Sequence, residues 1–157
     1  MDTLFILARI LHVIGVVLWI GGVAFVTTVL IPAIRRISDK NEKLALFDKL
    51  ERKFSFQAKI TTVITGISGF YMLESLNAWN RYLDLSFWWI HLMTLVWLIF
   101  TLLLFVLEPL IFHKIFHEKA MRDPDKAFRQ IHIMHIFLLT LSLVAILGAV
   151  AGVRGYL

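Results

Sequence analysis

Apolar residues in this chain fall into four long blocks rather than into alternating or short periodic runs. The first block covers about 4–34 and ends at Pro32 and the pair Arg35-Arg36. The second covers about 54–76, the third 85–112 and the fourth 128–153. Blocks of 20 or more apolar residues are the signature of membrane-spanning helices, and none shows the two-residue alternation of a membrane β-barrel strand. Between the first two blocks, Leu44, Leu46, Phe47, Leu50 and Phe54 recur at helical spacing among charges. That pattern predicts an amphipathic cytoplasmic helix over about 40–53, lying on the membrane surface or running into the second span. Asp39 and Glu42 are spaced as its capping box. Asn77 to Tyr82 reads as a short polar-aromatic turn, His113 to Asp125 as a charged loop, and Asp123-Pro124 as the start of the last helix.

The predicted fold is therefore all-α: an integral membrane four-helix up-down bundle forming one transmembrane domain over 1–157. Composition agrees, since 59% of 157 residues are hydrophobic and the connections leave no room for a soluble domain. Lysine and arginine crowd the first connection, from Arg35 to Lys59, and the third, from Lys114 to Arg129. Arg9, Arg81 and Arg154 are the other three. The positive-inside rule then puts both termini outside and gives Trp79, Tyr82, Trp88, Trp89 and Tyr156 to an outer aromatic belt. The net charge of +5 reports topology rather than nucleic-acid binding. The start of the chain reads as a retained helix, because it lacks a basic segment and a cleavage site. There is no cysteine, which excludes disulfides, thiolate metal sites and covalent haem attachment.

Ionisable residues inside such spans are where function is sought. His12 lies roughly 12 Å into the first span and His91 roughly 9 Å into the third. Both spans start on the same side, so the two imidazoles share a depth, as axial ligands of a b-type haem do. Gly15, Gly66, Gly69, Gly148 and Gly152 lie near that level and would leave space for a flat ring. The competing reading is packing: Gly148 and Gly152 form a GxxxG pair, suited to helix contact or to a homodimer. A histidine bonded to a neighbouring carbonyl is likewise the alternative to a ligand. Arg9, one turn outward from His12, is placed to meet a propionate or to anchor at the interface. His113, His117, His132 and His135 cluster toward the inner side. They are candidates for a second haem or transition-metal site, with His113 and His135 its leading members. Glu108-Pro109 reads as a proton-handling group or a kink.

Leu11-His12 followed by Trp19-Ile20-Gly21-Gly22 and Pro32 resembles the first helix of CopD-like and HemJ-like bacterial membrane proteins. Phe47 with Glu51 to Ser55 resembles their second helix, and Trp88-Trp89-Ile90-His91 the start of their third. The resemblance covers roughly 4–112. It implies a multi-pass protein of the bacterial inner membrane, with b-type haem and protoporphyrinogen oxidation on the HemJ-like side and copper handling on the CopD-like side. Met93 stands where HemJ-like proteins carry a lysine, and their charged C-terminal motif is missing, so the histidines carry over and the oxidase activity does not. High-affinity copper transport is disfavoured, since soft ligands are limited to five scattered methionines. The expected function is a membrane b-type cytochrome passing electrons to or from a quinone or a redox protein, with the lipid bilayer as its surroundings and no nucleic-acid partner. The alternatives are a CopD-like copper-handling membrane protein, a HemJ-like protoporphyrinogen oxidase, and a structural membrane subunit with no turnover.

Overall fold

A computed structural model describes residues 2–153, with backbone only at 110–115, 117 and 153. Among the described residues every regular element is helical. The order is α1 (Thr3–Phe25), a π-helical turn (Val26–Leu30), α2 (Ile31–Arg35), α3 (Lys40–Ser75), two 3-10 turns (Trp79–Leu83 and Leu85–Phe87), α4 (Trp88–Leu102), a π-helical segment (Leu103–Phe112), α5 (His113–Arg122) and α6 (Pro124–Val153). Among the described residues three stretches are long and apolar enough to cross a membrane: Thr3–Arg35, Leu85–Pro109 and Pro124–Gly152. The chain is a membrane protein on that ground.

Both π-helical stretches adjoin or contain a proline, Pro32 after the first and Pro109 within the second. Proline donates no N–H and crowds the preceding turn, and a wider turn lets the helix continue instead of ending. The first rod therefore runs on through Pro32 to Arg35 as 33 residues, roughly 50 Å at helical rise. Helix α3 starts at Asp39, whose carboxylate accepts from the Glu42 N–H at 2.7 Å. The amphipathic stretch does not lie apart: it runs into the second block as one helix of 36 residues. Asn77, with φ of 48°, takes the left-handed position after the last turn, and the Ala78 N–H returns to the Leu73 carbonyl. The segment expected as a charged loop is helical over α5. Phe116 and Ala120 turn inward from it, and the charges that suggested a loop share the helix with them.

The packing has two levels. At the basic end Val26, Leu30, Ile34, Phe47, Phe116 and Phe128 belong to a core in which Phe128 is fully buried. Further along, Trp19, Val23, Ala58, Phe100, Leu138 and Ala145 form a second core. Helix α1 packs chiefly on α3, and α4 on α6; α1–α6 and α3–α4 contacts join the two pairs. Trp19 meets Phe100 edge to face at 4.9 Å, crossing from α1 to α4.

Helix α3 is polar on the side where the other rods are apolar. Thr61, Thr62, Thr65 and Ser68 are buried, while Phe56, Ile60, Val63 and Ile67 are exposed, Phe56 to 69% and Ile67 to 68%. Thr61 and Ser68 hydroxyls donate to carbonyls one turn back, Gln57 and Ile64. The charged first half of α3, Lys59 and the buried hydroxyls together lower its average hydropathy, and the hydroxyls do so without facing outward.

All but one of the described glycines are contact surfaces. A Cβ at Gly66 would lie 2.6 Å from the Trp97 indole, whose N–H is held by the Thr62 carbonyl at 2.9 Å. Gly66→Ala is expected to lower stability by about 1–3 kcal/mol through overpacking. Gly21→Ala meets nothing within 4 Å and is expected to be neutral or to gain up to about 1 kcal/mol from helix propensity. Unfolding in detergent by a graded denaturant compares the two.

Candidate functional site

His12 is seated against α3. Its Nδ1 lies 3.0 Å from the Thr65 carbonyl and 3.3 Å from the Ser68 hydroxyl. Gly69 provides the close approach, since a Cβ there would stand 3.1 Å from the imidazole Cε1. Gly15, one turn further along α1, faces Thr65 in the same way, with 2.5 Å from its notional Cβ to the hydroxyl. A carbonyl only accepts, so Nδ1 carries the hydrogen and donates it to Thr65. The lone pair is then on Nε2. Carbonyl-anchored Nδ1–H with a free Nε2 is the arrangement that orients a metal-ligating histidine. A packing histidine in an apolar helix makes the same bond.

His91 is placed differently. Its Nδ1 is 3.2 Å from the Phe87 carbonyl and its Nε2 is 3.0 Å from the Tyr82 carbonyl. A neutral imidazole has one N–H, so it satisfies one of these acceptors at a time. The Tyr82 ring stands edge-on to the imidazole at 5.5 Å, and its hydroxyl is 2.6 Å from that of Thr94. The turn between α3 and α4 thus folds back over His91. Asp84 pins that turn by accepting from the Ser86 N–H at 2.9 Å, which holds its carboxyl below the usual carboxylate range.

The hydrogen-bond partners of His12 lie on α3 and those of His91 on the adjoining turn, and neither ring bonds the other. Their depths are close all the same. With Trp19 level with Phe100, parallel rods put His12 level with Met93 and His91 two residues outward, roughly 3 Å. The other predicted contributors have separate surroundings. Gly148 and Gly152 face the Trp88 and Trp89 indoles, as Gly66 faces Trp97; these glycines receive aromatic rings of α4. Gly148 and Gly152 thereby pack against α4 within the chain. Trp89 is buried against Gly152, while Trp79 and Trp88 are exposed. Tyr156 and Arg154 lie outside the described residues. Arg9 is exposed on α1, and Arg81 lies over the Phe87 ring at 5.3 Å.

At the basic end His132 gives Nε2 to the Thr27 carbonyl at 2.9 Å, inside the first π-helical turn, while its Nδ1 is 3.5 Å from the Arg35 guanidinium. His135 gives Nδ1 to the Ile131 carbonyl one turn back at 2.9 Å. The side chains of His113 and His117 lie outside the described residues. Among the described residues no three His, Cys, Asp or Glu side chains gather as a metal-binding group.

Glu108 was a candidate by sequence, but its partners were not. Glu108, on the second π-helical segment, takes the Lys59 ammonium at 3.0 Å on one oxygen and the Ser55 hydroxyl on the other. Lys59 belongs by sequence to the run of basic residues near the first connection, yet it sits in the middle of α3. The usable signal was Ser55 and Lys59 four apart on one helix face, opposite a glutamate next to proline in an apolar span. Both carboxylate oxygens are engaged, so the group ties the widened turn of the third rod to α3.

No family model, curated protein or solved structure matches the chain.

Proposed function

We propose that the chain is a four-span protein of the bacterial inner membrane that binds haem b through His12 and His91 and carries electrons. In this reading α3 is the fourth span, the basic end is cytoplasmic and both termini are outside. The exposed apolar side chains support it, because they form bands at matching levels on all four rods: Leu4 to Phe25, Phe56 to Tyr71, Trp88 to Leu107 and Ile133 to Val150. The shortest runs roughly 22 Å and the longest roughly 32 Å along its helix, bracketing a hydrocarbon core of about 30 Å. Beyond the bands toward the basic end, most apolar residues turn into the Phe128 core, and the exposed positions are mostly charged, with Val29, Leu46 and Met121 among the exceptions.

The observation that carries the haem reading is the seating of His12, with Nδ1–H on Thr65 and Nε2 left as the ligating atom. The shared depth of His91 adds to it. The fit is one-sided: ligation by His91 requires its Nε2 to leave the Tyr82 carbonyl, and three of the glycine surfaces are filled by indoles. Haem, when bound, supplies a one-electron redox centre; the chain's part is to present imidazole nitrogens in an apolar interior. The partner in this reading is a quinone or a second redox protein.

The test is the absorption spectrum of the purified protein from cells supplied with haem precursors. The expected result is one haem per chain with a six-coordinate low-spin spectrum that sharpens on dithionite reduction. A folded, colourless protein, with no haem by extraction and none taken up from added haemin, overturns the reading and leaves His12 as a packing residue.

A further inference from the structure

The outward face of α3 has two halves of different chemistry. Lys49, Arg52 and Lys53 are exposed along a shallow groove that ends at Phe56. From there the same face continues as Ile60, Val63 and Ile67, all exposed. At 3.6 residues per turn these positions fall within an arc of roughly 100°, so they form one stripe. Asp48, on the groove's edge, sets one negative charge against three positive ones and leaves the groove cationic. The apolar half, Phe56 to Ile67, is roughly 16 Å long, about one leaflet of a ~30 Å core. A cationic cluster followed by an apolar track of one leaflet matches the shape and charge order of a phospholipid with a net negative headgroup.

We propose that this face is a docking site for an anionic phospholipid of the cytoplasmic leaflet. Lys49, Arg52 and Lys53 take the headgroup phosphate, and Phe56, Ile60, Val63 and Ile67 lie along its acyl chains. The guanidinium can hold two phosphate oxygens at once, while the lysines act as point charges beside it. Long basic side chains at this level also reach the interface by extending away from the core. The inference rests on α3 being a span with its basic end cytoplasmic.

The test places the full-length protein in phosphatidylcholine vesicles containing trace spin-labelled phosphatidylglycerol or spin-labelled phosphatidylcholine. Electron paramagnetic resonance gives the fraction of each label held at the protein surface. The expected result is a preference for phosphatidylglycerol of at least about fivefold, since each nearby basic residue adds attraction to anionic lipid. The combined Lys49→Gln, Arg52→Gln and Lys53→Gln variant should bring the preference close to one. A control pair at the same end, Lys126→Gln with Arg129→Gln, should keep it. Preference retained in the triple variant, or lost equally in the control pair, overturns the groove in favour of diffuse charge. A spin label at Ile60→Cys separates the two failures. If the wild type shows no preference while that label is oxygen-accessible, the groove is wrong and the span stands. If the label is reached by aqueous nickel, the span itself is wrong and the docking site falls with it.

Discussion

Phe128→Ala is expected to lower the stability of the folded chain by about 3–5 kcal/mol, the cost of removing a fully buried aromatic side chain from a packed core. Phe128 has no exposed surface. It is wedged edge to face between Phe47 of α3, at 5.2 Å, and Phe116 of α5, at 5.4 Å, with those two rings 5.1 Å apart. Lys43 lies 6.0 Å over its face and forms an ion pair with Asp125 at 3.1 Å. This aromatic cluster lies in the core beyond the exposed apolar bands, where burial in protein rather than in lipid holds the rods together. Phe128→Leu keeps apolar volume and should cost much less. Exposed Phe137→Ala should cost little, since its ring already faces outward at 64% exposure. Equilibrium unfolding in mixed micelles, read by tryptophan fluorescence, ranks the three.

His12→Ala is expected to remove the six-coordinate spectrum, giving either a five-coordinate high-spin haem or at least about a hundredfold loss of haem affinity. Even the loss of a supporting bond costs a metal site 10- to 100-fold, and this change removes the proposed ligand itself. It also removes the donor to the Thr65 carbonyl, so folding must be separated from ligation. His12→Gln supplies that control, because its amide N–H can reach Thr65 while offering no imidazole. Both variants should lose the low-spin spectrum, and the glutamine variant should keep wild-type unfolding behaviour. His132→Ala should leave the spectrum in place, since that ring is committed to Thr27 and Arg35. A normal six-coordinate spectrum in both His12 variants would assign the ring to packing.

The helical rods were legible because apolar blocks of spanning length carry their own signal. The ends were less so, for physical reasons visible at particular residues. The first span was expected to end about residue 34 and its helix ends at Arg35, but the π-helical turn by which the chain accommodates Pro32 was not readable. The charges of His113 to Arg122 read as a loop, yet Phe116 and Ala120 supply a buried side and the segment is α5. Periodicity over 40–53 announced a helix, but its fusion with the second block depends on the absence of any break near Phe54, a weak signal beside the change in composition.

The histidines were found by position alone, and their environments were not readable. His12 needs Gly69 and Thr65 opposite it, which depends on the register of α1 against α3. His91 is covered by Tyr82, nine residues earlier, because the turn folds back. Small residues announced close contacts without naming what fills them: Trp88, Trp89 and Trp97 came from a third rod. Ion pairs such as Lys59 with Glu108 join residues 49 apart, a pairing that no local pattern contains.

Everything proposed about the site and its lipid face depends on α3 crossing the bilayer with its hydroxyls inward. A nitroxide scan along Phe56 to Tyr71 in vesicles, read for collision with oxygen and with aqueous nickel, measures that directly. Oxygen accessibility should peak at Phe56, Ile60, Val63 and Ile67, with minima at Ala58, Thr61 and Thr65 and little nickel contact between Ile60 and Ile67. Strong nickel contact throughout that stretch would put α3 in water, and would contradict both the four-span arrangement and the buried seat of His12.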